Sequence, residues 1–247
     1  MEKGLASRPH VFPNRGRRAS PTRRCAILAL AALCLFLFYR IRPLSDTSPD
    51  RPREASLADN NHGRPVALEA HIISKCPDTR DCLRDLIIPA MEVVHDKVNF
   101  TLSYIGTPTD NDGVACKHGP EECLGNIVEL CAQELYPDPK VFLGFTMCLT
   151  KDYQHIPQRN LIEDCALEHA VSFQQLNECA TQDDGAFGMG MLRDSVQRTS
   201  AAGITKSCTV RVDEKIYCIR DGGEWIDCPS GSSVDTLVAT IEKLSAA

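Results

Sequence analysis

The stretch VALEAHIISKCPD, residues 66–78, decides the fold that we predict for this chain. Residues 66–74 are mostly apolar and typical of a buried strand, whereas Pro77 suits the first turn of a helix, where the N–H that proline lacks would have no partner. Cys76 therefore lies between a strand and a helix. Unpaired N–H groups and the helix dipole at such a junction favour the thiolate, the nucleophilic form of cysteine. We predict that Cys76 is a catalytic nucleophile; the alternative is one half of a structural disulfide.

The pattern of apolar residues after this junction predicts a layered α/β fold. Residues 78–94 read as a helix kinked at Pro89, and residues 98–106 alternate as a second strand, so the three elements form a right-handed parallel unit. Farther along we predict helices at 121–135, 139–149, 161–180 and 191–201, a looser stretch at 185–190, a hairpin of strands 208–212 and 215–219, and a last helix from Ser232 or Ser233 to Leu244. This order is that of a thioredoxin-like fold with a disulfide-rich helical insertion, residues 107–182, after the second strand.

A basic and apolar segment precedes this domain. Residues 25–39 form an unbroken apolar run, with seven basic residues before it and Arg40 and Arg42 behind it. Such a segment predicts a signal anchor (25–42) that contacts the membrane, with a cytosolic basic tail (1–24), a proline-rich linker (43–65) and a lumenal domain (66–247). We therefore expect a single-pass type II membrane protein of the secretory or lysosomal (vacuolar) route. The alternative is a cleaved signal peptide and a secreted product.

The charge distribution excludes one class of partner. The 247-residue chain has a formal net charge of -6, but residues 43–247 hold 18 of its 27 basic and 32 of its 33 acidic residues. An acidic body repels a phosphate backbone, so we predict no nucleic-acid partner.

The cysteine content agrees with a lumenal compartment. Of the 13 cysteines, Cys25 and Cys34 lie in the apolar run and eleven follow it. A lumenal setting favours disulfides, and because eleven is odd, at least one thiol is free or paired outside the chain. We predict a local disulfide between Cys218 and Cys228, and N-glycosylation of Asn99 in the triplet Asn-Phe-Thr.

A second motif, CKHGPEECLGNIVELC at residues 116–131, resembles the signature of the gamma-interferon-inducible lysosomal thiol reductase (GILT) family. The signature positions are Cys116, His118, Gly119, Glu122, Cys123, Asn126 and Cys131, and Lys117 stands where the family has glutamine. A broader likeness runs from about residue 68 to 241. The resemblance implies a thioredoxin-like fold and reduction of disulfides in protein substrates on the lysosomal or secretory route, with no organic cofactor.

The spacing of these cysteines leaves two uses open. Three cysteines and His118 are suitable zinc ligands, but the compartment and the loose spacing favour disulfides, so we predict no metal. On one helix Cys123 and Cys131 would lie about 12 Å apart, and they therefore need different partners. Cys148, Cys165 and Cys179 are the available ones.

Two positions depart from the family pattern. Thr79 replaces the second cysteine of the C-x-x-C pair; it can donate a hydrogen bond to the Cys76 thiolate but cannot resolve a mixed disulfide. Cys208 falls where thioredoxin-like folds have a cis-proline beside the reactive thiol. We predict a Cys76–Cys208 bridge, in which Cys208 resolves; the alternative is a structural partner for Cys208. Cys76 and Cys82 should not pair, because six helical residues turn them to different faces.

Two functions follow from these residues. The first is a thiol–disulfide oxidoreductase of the GILT type with Cys76 as nucleophile. The alternative is a redox-inactive lumenal binding or scaffold protein with the same fold, which the threonine at position 79 favours.

Overall fold

A computed structural model of the chain describes Cys34 and residues 64–247. The predicted basic tail, the signal anchor apart from Cys34, and the linker as far as residue 63 lie outside the described residues. Among the residues that are described, no helix has the length and apolar character needed to cross a bilayer.

A five-stranded mixed sheet forms the centre of the domain. Its strands are β1 (Val66–Ile72), β2 (Val98–Tyr104), β5 (Thr209–Val212), β6 (Lys215–Asp221) and β7 (Glu224–Ile226), and a separate two-stranded hairpin is made by β3 (Thr107–Pro108) and β4 (Val114–Ala115). The strand order is β2-β1-β5-β6-β7. β1 and β2 are parallel, as predicted, and the remaining pairs are antiparallel.

The connection between β1 and β2 is one helical segment with an irregular middle. It consists of α1 (Pro77–Cys82), a π-helical turn (Leu83–Ile87) and α2 (Ile88–Val94). The wider turn ends just before Pro89, whose ring would collide with the carbonyl of residue 85 in a regular α-helix. The proline predicted to kink this helix is therefore accommodated by a local widening.

The insertion and the helix after it contain five helices. They are α3 (Pro120–Leu135), α4 (Pro139–Lys151), α5 (Arg159–Glu168), α6 (Phe173–Thr181) and α7 (Ala186–Ala201). The single helix predicted at 161–180 is wrong, because Ala170 has a positive φ of 54° and Ser172 starts α6 by accepting a hydrogen bond from the Gln175 N–H.

The glycine-rich stretch at 185–190 is also not loose. Gly185 precedes α7, and Gly188 lies inside it, where a Cβ would approach the Ile127 side chain to 2.7 Å. Gly188 thus permits close packing of α7 on α3.

The C-terminal part follows its local sequence signals. Asp213 and Glu214 both have positive φ, as a tight two-residue hairpin requires. Ser233 caps α8 (Val234–Ser245) by accepting a hydrogen bond from the Thr236 N–H. β7 has three residues, too few for the alternation that would predict it.

Strand β1 contributes to the centre of the core. Leu68, Ala70 and Ile72 of β1 are fully buried. α2 packs against α8, whereas α7 packs against both β2 and α3. This arrangement places the C-terminal end of β1, and hence Cys76, against the helical insertion.

Candidate active site around Cys76

Cys76 is the free thiol of residues 64–247. The other ten cysteines of this range form five disulfides: Cys82–Cys208, Cys116–Cys123, Cys131–Cys179, Cys148–Cys165 and Cys218–Cys228. The odd cysteine that the count requires is therefore Cys76. The predicted separation of Cys123 from Cys131 holds, although Cys123 pairs with the neighbouring Cys116. The pair 218–228 is the one expected from its spacing.

Cys76 occupies the position that its local sequence indicates. It has an extended backbone, with φ −121° and ψ 129°, and α1 begins at the next residue, Pro77. Its side chain is 7% exposed and borders a cavity of about 680 Å³. Other residues on the cavity wall include Ile73, Asp78, Cys116, Lys206 and Ser207. A buried thiol with access to an open cavity can meet a substrate without being freely solvated.

The hydroxyl of Thr79 does not serve the predicted purpose. Within the described residues it donates to the Ile73 carbonyl at 2.8 Å and shares a hydrogen bond of 2.8 Å with the Ser207 hydroxyl. Ser207 in turn accepts from the Ile73 N–H at 2.9 Å. Thr79 therefore ties the loop before β5 to the end of β1, and the predicted hydrogen bond to Cys76 is not made.

The predicted Cys76–Cys208 bridge is wrong. Cys208 follows a cis peptide bond and forms its disulfide with Cys82, with a Cα–Cα distance of 6.2 Å. Both residues are fully buried. The physical reason is helical rotation: six residues beyond Cys76, Cys82 lies on the face that meets the start of β5. Cys208 is thus not available as a resolving thiol.

The signature motif closes a turn ahead of α3. The buried Glu122 carboxylate accepts hydrogen bonds from the Lys117 and His118 N–H groups, both at 3.0 Å, and also pairs with His118 Nδ1. Gly119 stands at the helix start with a φ of 83°, which favours glycine. The Cys116–Cys123 disulfide closes the same turn, so neither of these sulfurs is a free thiol.

Asn126 connects this motif to the segment that carries Cys76. Its Oδ1 accepts from the Ser74 N–H at 3.1 Å, and its Nδ2 lies 3.9 Å from the Cys116 sulfur. The Ser74 hydroxyl is 3.4 Å from the Glu122 carbonyl. A Cβ at Gly125 would lie 2.8 Å from the Ser74 hydroxyl, so glycine is required for this approach. The signature thus holds the chain two residues before Cys76, a role that its sequence did not reveal.

Two charged neighbours of Cys76 fix the adjoining loops. Lys75 donates to the carbonyls of Ile156 and Gln154, at 2.6 and 3.1 Å, and contacts the Glu121 carboxylate at 3.1 Å. The Asp78 carboxylate accepts the N–H groups of Gly222 and Gly223 at 3.0 and 2.8 Å. Sequence analysis missed both contacts, because each partner lies more than 45 residues away.

Three ionisable groups near these elements have shifted pKa values. Burial raises the pKa of Glu129 on α3 to about 8, although the hydroxyl of Tyr104 donates to its carboxylate at 2.8 Å and opposes that shift. Burial lowers the pKa of His71, against the opposing effect of Glu69. The hydrogen bond from Arg80 lowers the pKa of Asp81.

Two further residue groups named by sequence or spacing can be located among the described residues. Asn99 is exposed on the outer strand β2, and its glycosylation stays a prediction. In this part of the chain, the side chains of Cys148, Glu168 and His169 lie close enough together to hold a metal ion, but the Cys148 sulfur is bonded to Cys165. This group of residues therefore lacks the thiolate that a soft metal requires.

Comparison with solved structures shows which fold this is. BdbD from Bacillus subtilis in its oxidised form matches with a TM-score of 0.51 and 19% identity, over 74% of this chain and 89% of that chain. MdbA, a thiol-disulfide oxidoreductase from Corynebacterium diphtheriae, matches with a TM-score of 0.52 and 12% identity, over 74% of this chain and 85% of that chain. The predicted thioredoxin-like fold with a helical insertion is confirmed.

Sequence comparison finds matches to one protein family. The family model "Gamma interferon inducible lysosomal thiol reductase (GILT)" matches residues 67–180. GILT-like protein 1 of Drosophila melanogaster is 26% identical over 150 residues, which are 54% of this chain and 60% of that protein. The gamma-interferon-inducible lysosomal thiol reductase of Carassius auratus is 31% identical over 72 residues, or 27% and 29% of the two chains. The chain thus matches less than two thirds of the length of these relatives. The match covers the motif that suggested the resemblance, and it identifies residues 67–180, a little under half of the chain, as GILT-like sequence.

Proposed function

We propose that this protein is a thiol–disulfide oxidoreductase that reduces disulfides in protein substrates, with Cys76 as the nucleophile. The observation that carries the proposal is the state of Cys76. It is the free thiol of residues 64–247, it borders an open cavity, and it stands directly before a helix. A thiolate in such a setting attacks disulfides.

The chemistry begins with attack of the Cys76 thiolate on one substrate sulfur. A mixed disulfide forms between Cys76 and the substrate, and the second substrate sulfur leaves as a thiolate and takes a proton. A second thiol must then release the substrate, and Thr79 has no sulfur to do so. With an external monothiol as reductant, one substrate disulfide is reduced while two monothiols become one disulfide.

We place this activity in the lumen of the secretory or lysosomal route. Five disulfides in residues 64–247 support an oxidising compartment during folding. The apolar run at 25–39, with its basic flanks, supports a type II anchor. N-terminal sequencing of the mature protein tests the anchor: a start before residue 25 is expected, and a start between 43 and 66 would show cleavage and secretion.

Reduction of insulin in the presence of a small thiol tests the activity. We expect Cys76→Ser to abolish turnover and Thr79→Cys to raise it, because the second variant restores the C-x-x-C pair. Thr79→Ser is the matched control, since it keeps the hydroxyl and adds no thiol. Undiminished turnover in Cys76→Ser would exclude the proposed mechanism.

A redox-inactive binding protein is the second candidate, and Thr79 is the observation that favours it. Its hydroxyl is fully used by Ile73 and Ser207, so the position of the missing thiol has a structural role. Under this alternative, Cys76→Ser binds a cysteine-free client peptide as tightly as the wild type, and no mixed disulfide with a cystine-containing client is recovered.

A further inference from the structure

The wall of the Cys76 cavity contains a second sulfur-bearing residue, Cys116. Cys116 is half-buried, and its disulfide with Cys123 also borders a separate, mainly apolar cavity of about 450 Å³ on its other side. In contrast, Cys82 and Cys208 are fully buried and border neither cavity. Among the disulfides of residues 64–247, Cys116–Cys123 is therefore the one that borders the same cavity as Cys76.

We propose that Cys116 and Cys123 form the resolving couple for Cys76 and replace the thiol that is missing at Thr79. The proposal rests on the proposed function of Cys76 and deepens it. In this arrangement Cys116 exchanges with Cys76, and Cys123 exchanges with Cys116.

The steps balance as three thiol–disulfide exchanges. With all three cysteines reduced, the Cys76 thiolate attacks the substrate and one substrate thiol leaves. The Cys116 thiolate then attacks the Cys76 sulfur, which releases the second substrate thiol and forms Cys76–Cys116. Finally the Cys123 thiolate attacks Cys116, which frees Cys76 and re-forms Cys116–Cys123. Two electrons pass from the Cys116/Cys123 dithiol to the substrate disulfide, and an external dithiol, such as dithiothreitol, restores the couple.

Asn126 keeps the two reacting segments together. Its side-chain oxygen holds the Ser74 N–H, and its side-chain nitrogen faces the Cys116 sulfur. The backbone that leads to Cys76 and the sulfur of Cys116 thus both contact one buried side chain on α3. The hydrogen bond from the Ser74 N–H to Asn126 does not depend on the Cys116–Cys123 bond.

The turn that carries Cys116 has supports that remain when its disulfide opens. Glu122 holds the N–H groups of Lys117 and His118, and it pairs with the His118 ring. The disulfide itself spans only seven residues, and Cys116 lies outside α3. Opening the bond therefore frees Cys116 to move toward Cys76 while the rest of the turn stays attached to the helix.

Disulfide trapping tests the geometry. Cys123→Ser leaves Cys116 without its partner, and after equilibration with oxidised glutathione a peptide map under non-reducing conditions should contain a Cys76–Cys116 bond. Cys165→Ser is the matched control, because it leaves Cys148 unpaired in a different pair of helices; Cys76 should there form no bond with Cys148. A Cys123→Ser map with no Cys76–Cys116 bond overturns the proposal.

Measurements of turnover distinguish failure of the Cys116/Cys123 couple from failure of the proposed function of Cys76. With insulin and dithiothreitol we expect the double variant Cys116→Ser/Cys123→Ser to lose at least fivefold in turnover, while Cys76 still forms the mixed disulfide with substrate. The double variant Cys148→Ser/Cys165→Ser is the control for loss of a disulfide. A loss below fivefold, together with an inactive Cys76→Ser, would exclude the couple and leave Cys76 as nucleophile. An active Cys76→Ser would exclude both.

Discussion

The disulfides Cys82–Cys208 and Cys116–Cys123 both lie near the loop of Cys76, but they differ in reach and in exposure. The first joins residues 126 apart in sequence and is fully buried, whereas the second joins residues seven apart, and Cys116 borders the cavity. Loop-closure entropy assigns about 5 kcal/mol to the long loop and about 2 kcal/mol to the short one. The fold therefore depends on the long-range bond, and the short bond is the one that can open with the domain intact.

The largest expected effect comes from removing the two bonds separately. Cys82→Ala/Cys208→Ala should lower the free energy of unfolding by about 5 kcal/mol, enough to unfold a domain of ordinary stability, while Cys116→Ala/Cys123→Ala should cost about 2 kcal/mol. Urea denaturation without reductant measures both. Equal losses would remove the distinction between the two disulfides.

The next effect concerns the link between the short disulfide and the Cys76 segment. Asn126→Leu leaves the buried Ser74 N–H without an acceptor, which should lower the free energy of unfolding by about 2 kcal/mol. It should also change the rate at which Cys76 is alkylated. Asn177→Leu, at an exposed position of α6, is the control and should leave both measurements unchanged. An unaltered alkylation rate in Asn126→Leu would mean that Asn126 does not position Cys76.

The last effect is a dependence on pH that comes from the helix that carries Cys123. The pKa of Glu129 rises from an ordinary 4.5 to about 8 on folding because of burial, so the folded chain binds a proton that the unfolded chain has lost. This stabilisation is complete below pH 4.5 and is lost as pH rises toward 8, with a slope of about 1 kcal/mol per pH unit.

Glu129→Gln keeps a neutral side chain of the same shape and should flatten that slope. Urea midpoints between pH 5 and 8 provide the measurement. Glu121→Gln is a suitable control, because its carboxylate is exposed and pairs with Lys75 only at the surface. Parallel slopes for the wild type and Glu129→Gln would assign the pH dependence to other groups.

Local signals in the sequence predicted most of the fold. The strand before Cys76, the proline that starts α1 and the serine that caps α8 each act within a few residues. The break between α5 and α6 was missed because apolar spacing continues across Ala170, where the backbone turns left-handed. β7 was missed because three residues carry no period.

The position and the free thiol of Cys76 were predictable from the sequence, but the contacts around it were not. The strand-to-helix junction identified Cys76, and the odd cysteine count indicated a free thiol. The partner of Cys208 depends on which face of a helix meets a strand 126 residues away, and spacing alone does not determine that. The hydrogen bond from Ser74 to Asn126 is likewise invisible until α3 is packed against the end of β1.

The contacts of Ser74 and Lys75 bear on how this domain can be divided. Both residues precede Cys76, and their partners lie in the insertion: Asn126 for the first, and the carbonyls of Gln154 and Ile156 for the second. A shortened protein, reduced to the sheet and its flanking helices, would lose every one of these attachments. The insertion is therefore not a detachable module, and transplanting the Cys76 loop into another thioredoxin-like scaffold would require α3 and the segment around residue 155 to move with it.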